Sequence, residues 1–127
     1  MGLRGLLNRL SVPVEQLDEQ RLREFCAGRQ DAVPIGAVTP RAEVTVVGEV
    51  TSVRFVPRGG TAWLEATVSD GRDRMVAMWT GRRRLRGLEP GRRLLLAGRA
   101  SQTGPGGRMV LMNPRYDLLP FGGGPGQ

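Results

Sequence analysis

The sequence predicts a mainly β domain: five strands wound into a small Greek-key barrel, with a short helix between the third and fourth strands and an α-helical extension at the amino end. Three observations carry this. A long alternating stretch, Glu43 to Val56, changes phase once in its middle and so reads as a single bent strand. Further alternating or apolar runs follow at short intervals, each closed by a cluster of turn-forming residues. The amino-terminal third shows helical rather than alternating spacing.

Leu3, Leu6, Leu7 and Leu10 have the i, i+3, i+4, i+7 spacing of a short amphipathic helix that Ser11, Val12 and Pro13 would end. A second helix is expected from about Val12 to Ala27. Ser11 can cap it, Pro13 suits its first turn, Glu15 and Asp18 suit its positive end, and Gly28 stops it. Its apolar stripe, Val14, Leu17, Leu22 beside Arg21, and Phe25, needs cover from the barrel or from a partner chain. Residues 28–41, with Gly28, Pro34, Gly36 and Pro40, read as a connector.

In the bent strand Val44, Val46, Gly48 and Val50 share one parity, while Val53 and Phe55 fall on the other. One extra residue near Thr51 and Ser52 would bring all the apolar side chains to one face, which predicts a bulge there. Gly48 suits the bend because it removes a side chain from it. A turn at Pro57 to Gly60 leads to the second strand, Thr61 to Ser69, where Leu64, Ala66 and Val68 oppose Trp63, Glu65 and Thr67. Asp70, Gly71, Arg72 and Asp73 signal a hairpin. The third strand, Arg74 to Thr80, is apolar on both faces, so periodicity leaves its inward phase open. From Gly81 to Leu88 the spacing of Leu85 and Leu88 predicts a short helix or helical turn among four arginines. Pro90 and Gly91 turn into the fourth strand, Arg92 to Ser101, with Leu94, Leu96, Gly98 and Ala100 in one phase. The breakers at Thr103 to Gly107 precede a fifth strand, Arg108 to Leu119, interrupted at Pro114.

A bent first strand that can pair on both edges, two more strands, a short helix and two final strands describe the OB-fold, which binds oligonucleotides or oligosaccharides over strands 2 and 3 and the flanking loops. Gly48 and Gly98 are expected where strands 1 and 4 lie side by side and curve together. The division that follows is an extension and connector over 1–41, the OB domain over 42–120, and a glycine-rich tail over 121–127 expected to be disordered.

The charge points to a partner. All 19 basic residues are arginine, against 12 acids, for a formal net charge of +7. Residues 1–40 balance, so the surplus lies on the barrel and a polyanion is the leading expectation. A GC-rich coding bias accounts for the missing lysines but not for this asymmetry. Cys26 stands alone, which fits a reducing cytoplasm and offers no disulfide framework or cysteine metal cluster. No apolar run approaches the ~20 residues of a membrane span, and no signal peptide is read at the amino end.

Val44 to Val50, Asp70-Gly71, and Leu88 to Leu94 leading to Gly98-Arg99 resemble the nucleic-acid-binding OB domains of the tRNA anticodon-like group. Gly107 to Asp117, with Asn113, Pro114 and Tyr116, resembles the close of the wedge domain in RecG-type branched-DNA helicases. The resemblance covers roughly 42–119, and the whole is similar to small stand-alone actinobacterial OB-fold proteins. It implies a binding module. The helicase motor is not implied, since no Gly-Lys-Ser/Thr phosphate loop occurs.

Candidate contacts follow from chemistry. Single strands are held by cations along the backbone and by aromatic rings under the bases. Arg82, Arg83, Arg84 and Arg86 cluster after the third strand, and Arg54, Arg74, Arg99 and Arg108 lie on strands; guanidinium groups hold phosphate bidentately and stack on bases. Trp63 opposes the core phase and either stacks a base or packs under a helix or loop. Trp79 is either a second stacker or core, and Tyr116 is read as structural. With no histidine and one cysteine on a helix, neither a nucleophile–histidine pair nor an ordinary zinc site can be assembled, so no catalysis and no cofactor are expected. The expectation is a cytoplasmic module for single-stranded or branched DNA, or RNA. Its alternative is a protein-interaction module, with the helical stripe or the barrel wall meeting a protein partner. The sequence sets no oligomeric state.

Overall fold

The computed structural model of the chain describes residues 14–82, 84–103 and 107–120. The expected helix at Leu3 to Leu10, Arg83 and the glycine-rich tail lie outside them. Helix α1 spans Val14–Ala27, a single 3-10 turn spans Ile35–Ala37, and the strands are β1 (Glu43–Arg58), β2 (Thr61–Ser69), β3 (Arg74–Thr80), β4 (Arg93–Gln102), β5 (Met109–Met112) and β6 (Arg115–Leu118). β5 and β6 are two halves of the expected fifth strand. Both run along the same edge of β4, β5 against Ala100 to Gln102 and β6 against Leu94 to Ala97. The break falls at Asn113, whose φ is 50°, and Pro114, which has no N–H to give the ladder.

β1 does what its sequence pattern requires. Its first half pairs antiparallel with β4, from Glu43 opposite Arg99 to Glu49 opposite Arg93, and its second half pairs antiparallel with β2. The register slips by one residue between Val50 and Ser52, which places the bulge at Thr51. β2 pairs antiparallel with β3, β3 parallel with β5, and β5 antiparallel with β4, so the ring of strands closes on β1. Gly48 sits where β1 passes from one partner to the other. A methyl there would run into the Val68 side chain and come within 2.7 Å of the Ser69 carbonyl oxygen, so the bend has room only for hydrogen. As expected, Gly48 and Gly98 both lie where β1 and β4 run side by side, and because the strands are antiparallel Gly48 faces Leu94 and Gly98 faces Val44.

The inward phase is Val46 and Val50, Leu64, Ala66 and Val68, Leu94, Leu96 and Ala100, with Leu111 from β5. The same cluster contains Met75, Ala77 and Trp79, which settles the open phase of β3. Each fully buried leucine contributes about 2–3 kcal/mol of transfer free energy. Phe55 departs from expectation. It lies opposite inward-facing Leu64, but at the far end of the hairpin, where 48% of it is exposed. The expected helical turn at 81–88 is also corrected. Residues 84–91 form turns with a single Leu88 N–H to Leu85 carbonyl bond of 3.1 Å, because Gly87 takes φ +74° and ends any helical path. Leu85 and Leu88 are buried in the core all the same.

The helix packs on the barrel rather than away from it. Leu22 is buried, the Cys26 thiol donates to the Val47 carbonyl at 3.4 Å, and Phe25 lies under the Arg93 guanidinium, 4.6 Å from ring centre. Leu17, from the same stripe, stays exposed. The β2–β3 turn receives α1 at Gly71: its φ is +91°, and a Cβ would stand 2.7 Å from the Glu19 carbonyl and 2.8 Å from the Arg23 amide. Asp70 is buried and fully used, accepting from the Arg72 amide (3.0 Å), the Asp73 amide (2.8 Å) and, across the chain, the Ile35 amide (3.0 Å). One carboxylate thus holds both the hairpin turn and the connector.

Candidate nucleic-acid interface

With the inward phase fixed, the opposite parity defines the outer wall. Three cross-strand rows result: Ser52, Thr67, Val76 and Val110; Arg54, Glu65, Met78 and Met112; and Val56, Trp63 and Thr80. Val76, Met78 and Val110 form a second apolar cluster, separate from the barrel core, and half-buried Trp63 packs against it. Apolar residues on both faces of β3 are therefore explained by two clusters, one on each side of the sheet.

Arginines stand at both ends of this wall. Arg74 begins β3, and the parallel register that sets Val76 beside Val110 brings Arg108 next to it. Both line one shallow groove with Thr51, Ser52 and Thr67. At the other end of β3 the Gly81 amide bonds the Ala62 carbonyl at 2.9 Å, which keeps the following segment beside the start of β2. Arg82 lines a groove on the β6 side with Asn113, Arg115 and Tyr116, while Arg84 and Arg86 line a neighbouring one. The Tyr116 hydroxyl donates to the Arg86 carbonyl at 3.1 Å, the structural role expected of it, and steadies this turn. Arg54 lies within the wall, its guanidinium bound to Glu65.

Two candidates fall elsewhere. Trp79 points into the core, 4% exposed, with its indole N–H donated to the Pro114 carbonyl at 2.9 Å, so its ring is withdrawn from bases. Arg99 occupies the wall made by β1 and β4, where it donates to the Arg41 carbonyl at 2.9 Å and pairs with Glu43 at 3.5 Å. Arg74 and Arg108 are thus together at one end of β3 and Arg82 follows its other end, while Arg84 and Arg86 lie on the segment that runs beside β6 and Arg99 is on the β1–β4 wall. Sequence reasoning passed over Arg115.

Cys26 offers little as a nucleophile. Burial, with a smaller push from the Asp70 carboxylate, raises its thiol pKa to about 11, so the thiolate is scarce at neutral pH. Among the described residues no cluster of His, Cys, Asp and Glu is arranged to hold a metal, and no helix is long and apolar enough to cross a membrane.

No protein-family model matches the chain, and no curated protein matches it. Solved structures do. RecG bound to a three-way DNA junction is similar with a TM-score of 0.59 and 20% identity over 72% of this chain, which spans only 13% of that protein. The OB domain of Ta0387 from Thermoplasma acidophilum is similar with a TM-score of 0.52 and 18% identity, covering 68% of this chain and 85% of that one. Yeast Stn1 and Ten1 give 0.50 and 10% identity, over 80% of this chain and 59% of the other. At these identities the likeness establishes the fold: the barrel is an OB domain.

Proposed function

We propose that this OB domain is a nucleic-acid-binding module of the cytoplasm, taking single-stranded or branched DNA, or RNA, along the outer wall of β2 and β3, and that it binds without catalysing a reaction. The observation that carries the reading is the placement of cations on either side of half-buried Trp63. Arg74 and Arg108 stand at one end of β3, Arg82 follows the other end with Arg84 and Arg86 continuing toward β6, and Trp63, packed over the buried Val76, Met78 and Val110 cluster, lies between. Seven strand residues span about 20 Å, which suits the short end of the ~4–16 nucleotides an OB domain covers. Phosphates would follow the arginines and a base would stack on Trp63. The likeness to RecG, solved on a DNA junction, supports a branched substrate as well as a plain single strand.

Fluorescence anisotropy with single-stranded, duplex and forked oligonucleotides over a salt series tests this. With about four phosphates neutralised, log K on a single strand falls by about 2.8 per decade of salt, roughly 0.7 per contact. A second reading, a protein-interaction module, is favoured by the exposed Leu17 on α1 and the exposed Met112 on the wall. It predicts no oligonucleotide affinity at any salt concentration.

A further inference from the structure

We propose that the outer edge of β6 is a docking site for an extended acidic peptide, which adds to it as a further strand. The site is apart from the wall of β2 and β3 and does not depend on the nucleic-acid reading. Among the described residues β6 has β4 on one side and no strand on the other. The register shows which of its backbone groups are left over. The Leu119 N–H donates to the Arg93 carbonyl at 2.9 Å, and the same antiparallel ladder sets Leu95 opposite Asp117 and Ala97 opposite Arg115. The odd-numbered residues of β6 therefore turn their N–H and C=O toward β4, and those of Tyr116 and Leu118 point the other way. The even-numbered side of β4 agrees: Ala100 gives its N–H to the Ala42 carbonyl, just ahead of β1, at 2.9 Å.

The seam between β3 and β6 is closed at its start. The Thr80 N–H donates to Asn113 Oδ1 at 3.0 Å, the Asn113 N–H to the Met78 carbonyl at 2.6 Å, and the Trp79 indole to the Pro114 carbonyl at 2.9 Å. Past Pro114 it opens. Gly81, with φ +73°, bonds back to Ala62 and takes the chain away from β6, and a groove remains that Trp79, Arg82, Arg115, Tyr116 and Asp117 line. Among the described residues no backbone hydrogen bond reaches Tyr116 on this side. An unpaired donor and acceptor on one residue, facing one groove, match an added strand. A phosphodiester chain has acceptors but no N–H in that register, so a peptide satisfies both groups and a nucleic acid only one.

Charge selects the peptide. Arg29, Arg54, Arg93 and Arg99 each pair with a carboxylate. Among the described residues no hydrogen bond or ion pair engages the guanidinium groups of Arg82, Arg84, Arg86 and Arg115, which line this groove and the one adjoining it against two acids, Glu89 and Asp117. The surplus attracts carboxylates on a partner. It also turns away basic strands and further copies of this edge, which keeps a short open strand from pairing with itself.

The test is amide hydrogen exchange by NMR on the whole chain, with a capped peptide of three Glu-Val repeats as probe and its Lys-Val counterpart as control. In the free protein the Tyr116 amide is expected to exchange at least about tenfold faster than the Asp117 amide, which faces β4. At about ten times the Kd of the Glu-Val peptide, exchange at Tyr116 slows about tenfold while Asp117 stays as it was. The Lys-Val peptide slows neither. Replacing Arg82 and Arg115 together by alanine weakens Glu-Val binding about fivefold, the loss expected of two exposed ion pairs. A Tyr116 amide already as protected as that of Asp117, no slowing with the Glu-Val peptide, or equal slowing with the Lys-Val peptide overturns the proposal. So does slowing by a thymine tract of about twelve nucleotides in place of the peptide, or unchanged affinity in the double variant. The exchange comparisons need no variant, and oligonucleotide binding at the wall of β2 and β3 stands or falls separately.

Discussion

Trp79→Ala is expected to destabilise the protein by about 3–5 kcal/mol, read as a lower midpoint in urea unfolding. The ring fills the barrel interior from β3, its N–H satisfies the Pro114 carbonyl, and it meets Tyr116 edge-on with ring centres 5.9 Å apart. Truncation leaves a cavity, an orphaned carbonyl and a tyrosine without its aromatic neighbour, and all three costs act together. Trp63→Ala has the opposite profile. Its half-buried ring covers the second apolar cluster rather than the barrel core, so stability falls less than for Trp79→Ala, and oligonucleotide affinity falls by the ~1–3 kcal/mol that one stacked base contributes. If the two variants unfolded at the same urea concentration, the inward phase of β3 would be misassigned.

The second large effect is on binding. Replacing Arg74 and Arg108 together by alanine is expected to weaken binding to a single strand about 25-fold at 0.1 M salt and to lower the salt slope by about 1.4, from two lost phosphate contacts at roughly 0.7 each. These side chains line the same groove, and neither belongs to the inward-facing cluster, so the fold should tolerate the change. Arg99→Ala is the matched control. It removes one such charge from the other wall, where Arg99 is engaged with Glu43 and the Arg41 carbonyl, and should leave the slope unchanged.

Much of the fold was legible in the residues. The parity change between Val50 and Val53 demanded one extra residue, and the slip is found there, at Thr51. Leu64, Ala66 and Val68 gave the inward face of β2, and Pro114 marked the break in the last strand. What was not legible depends on pairing between distant segments. Arg74, Arg99 and Arg108 look alike in a local alternation. Only the register of β3 with β5 and of β1 with β4 puts the first and last together and sends Arg99 to another wall.

Trp79 was ambiguous because β3 is apolar on both faces, and a second apolar cluster outside the barrel makes it so. The spacing of Leu85 and Leu88 suits a helix, but it equally suits two leucines buried from a turn, and Gly87 selects the turn. Phe55 carries the inward phase past the end of the cylinder, where phase no longer implies burial.

Amide chemical-shift mapping during titration of a single strand of about twelve nucleotides addresses the central claim most directly. Binding over the wall of β2 and β3 predicts the largest shifts at Trp63, Glu65, Thr67, Arg74, Val76, Arg108 and Met112, and little change at Glu43, Thr45, Ala97 and Arg99. Largest shifts on the β1–β4 side, or shifts spread evenly around the barrel, would contradict it.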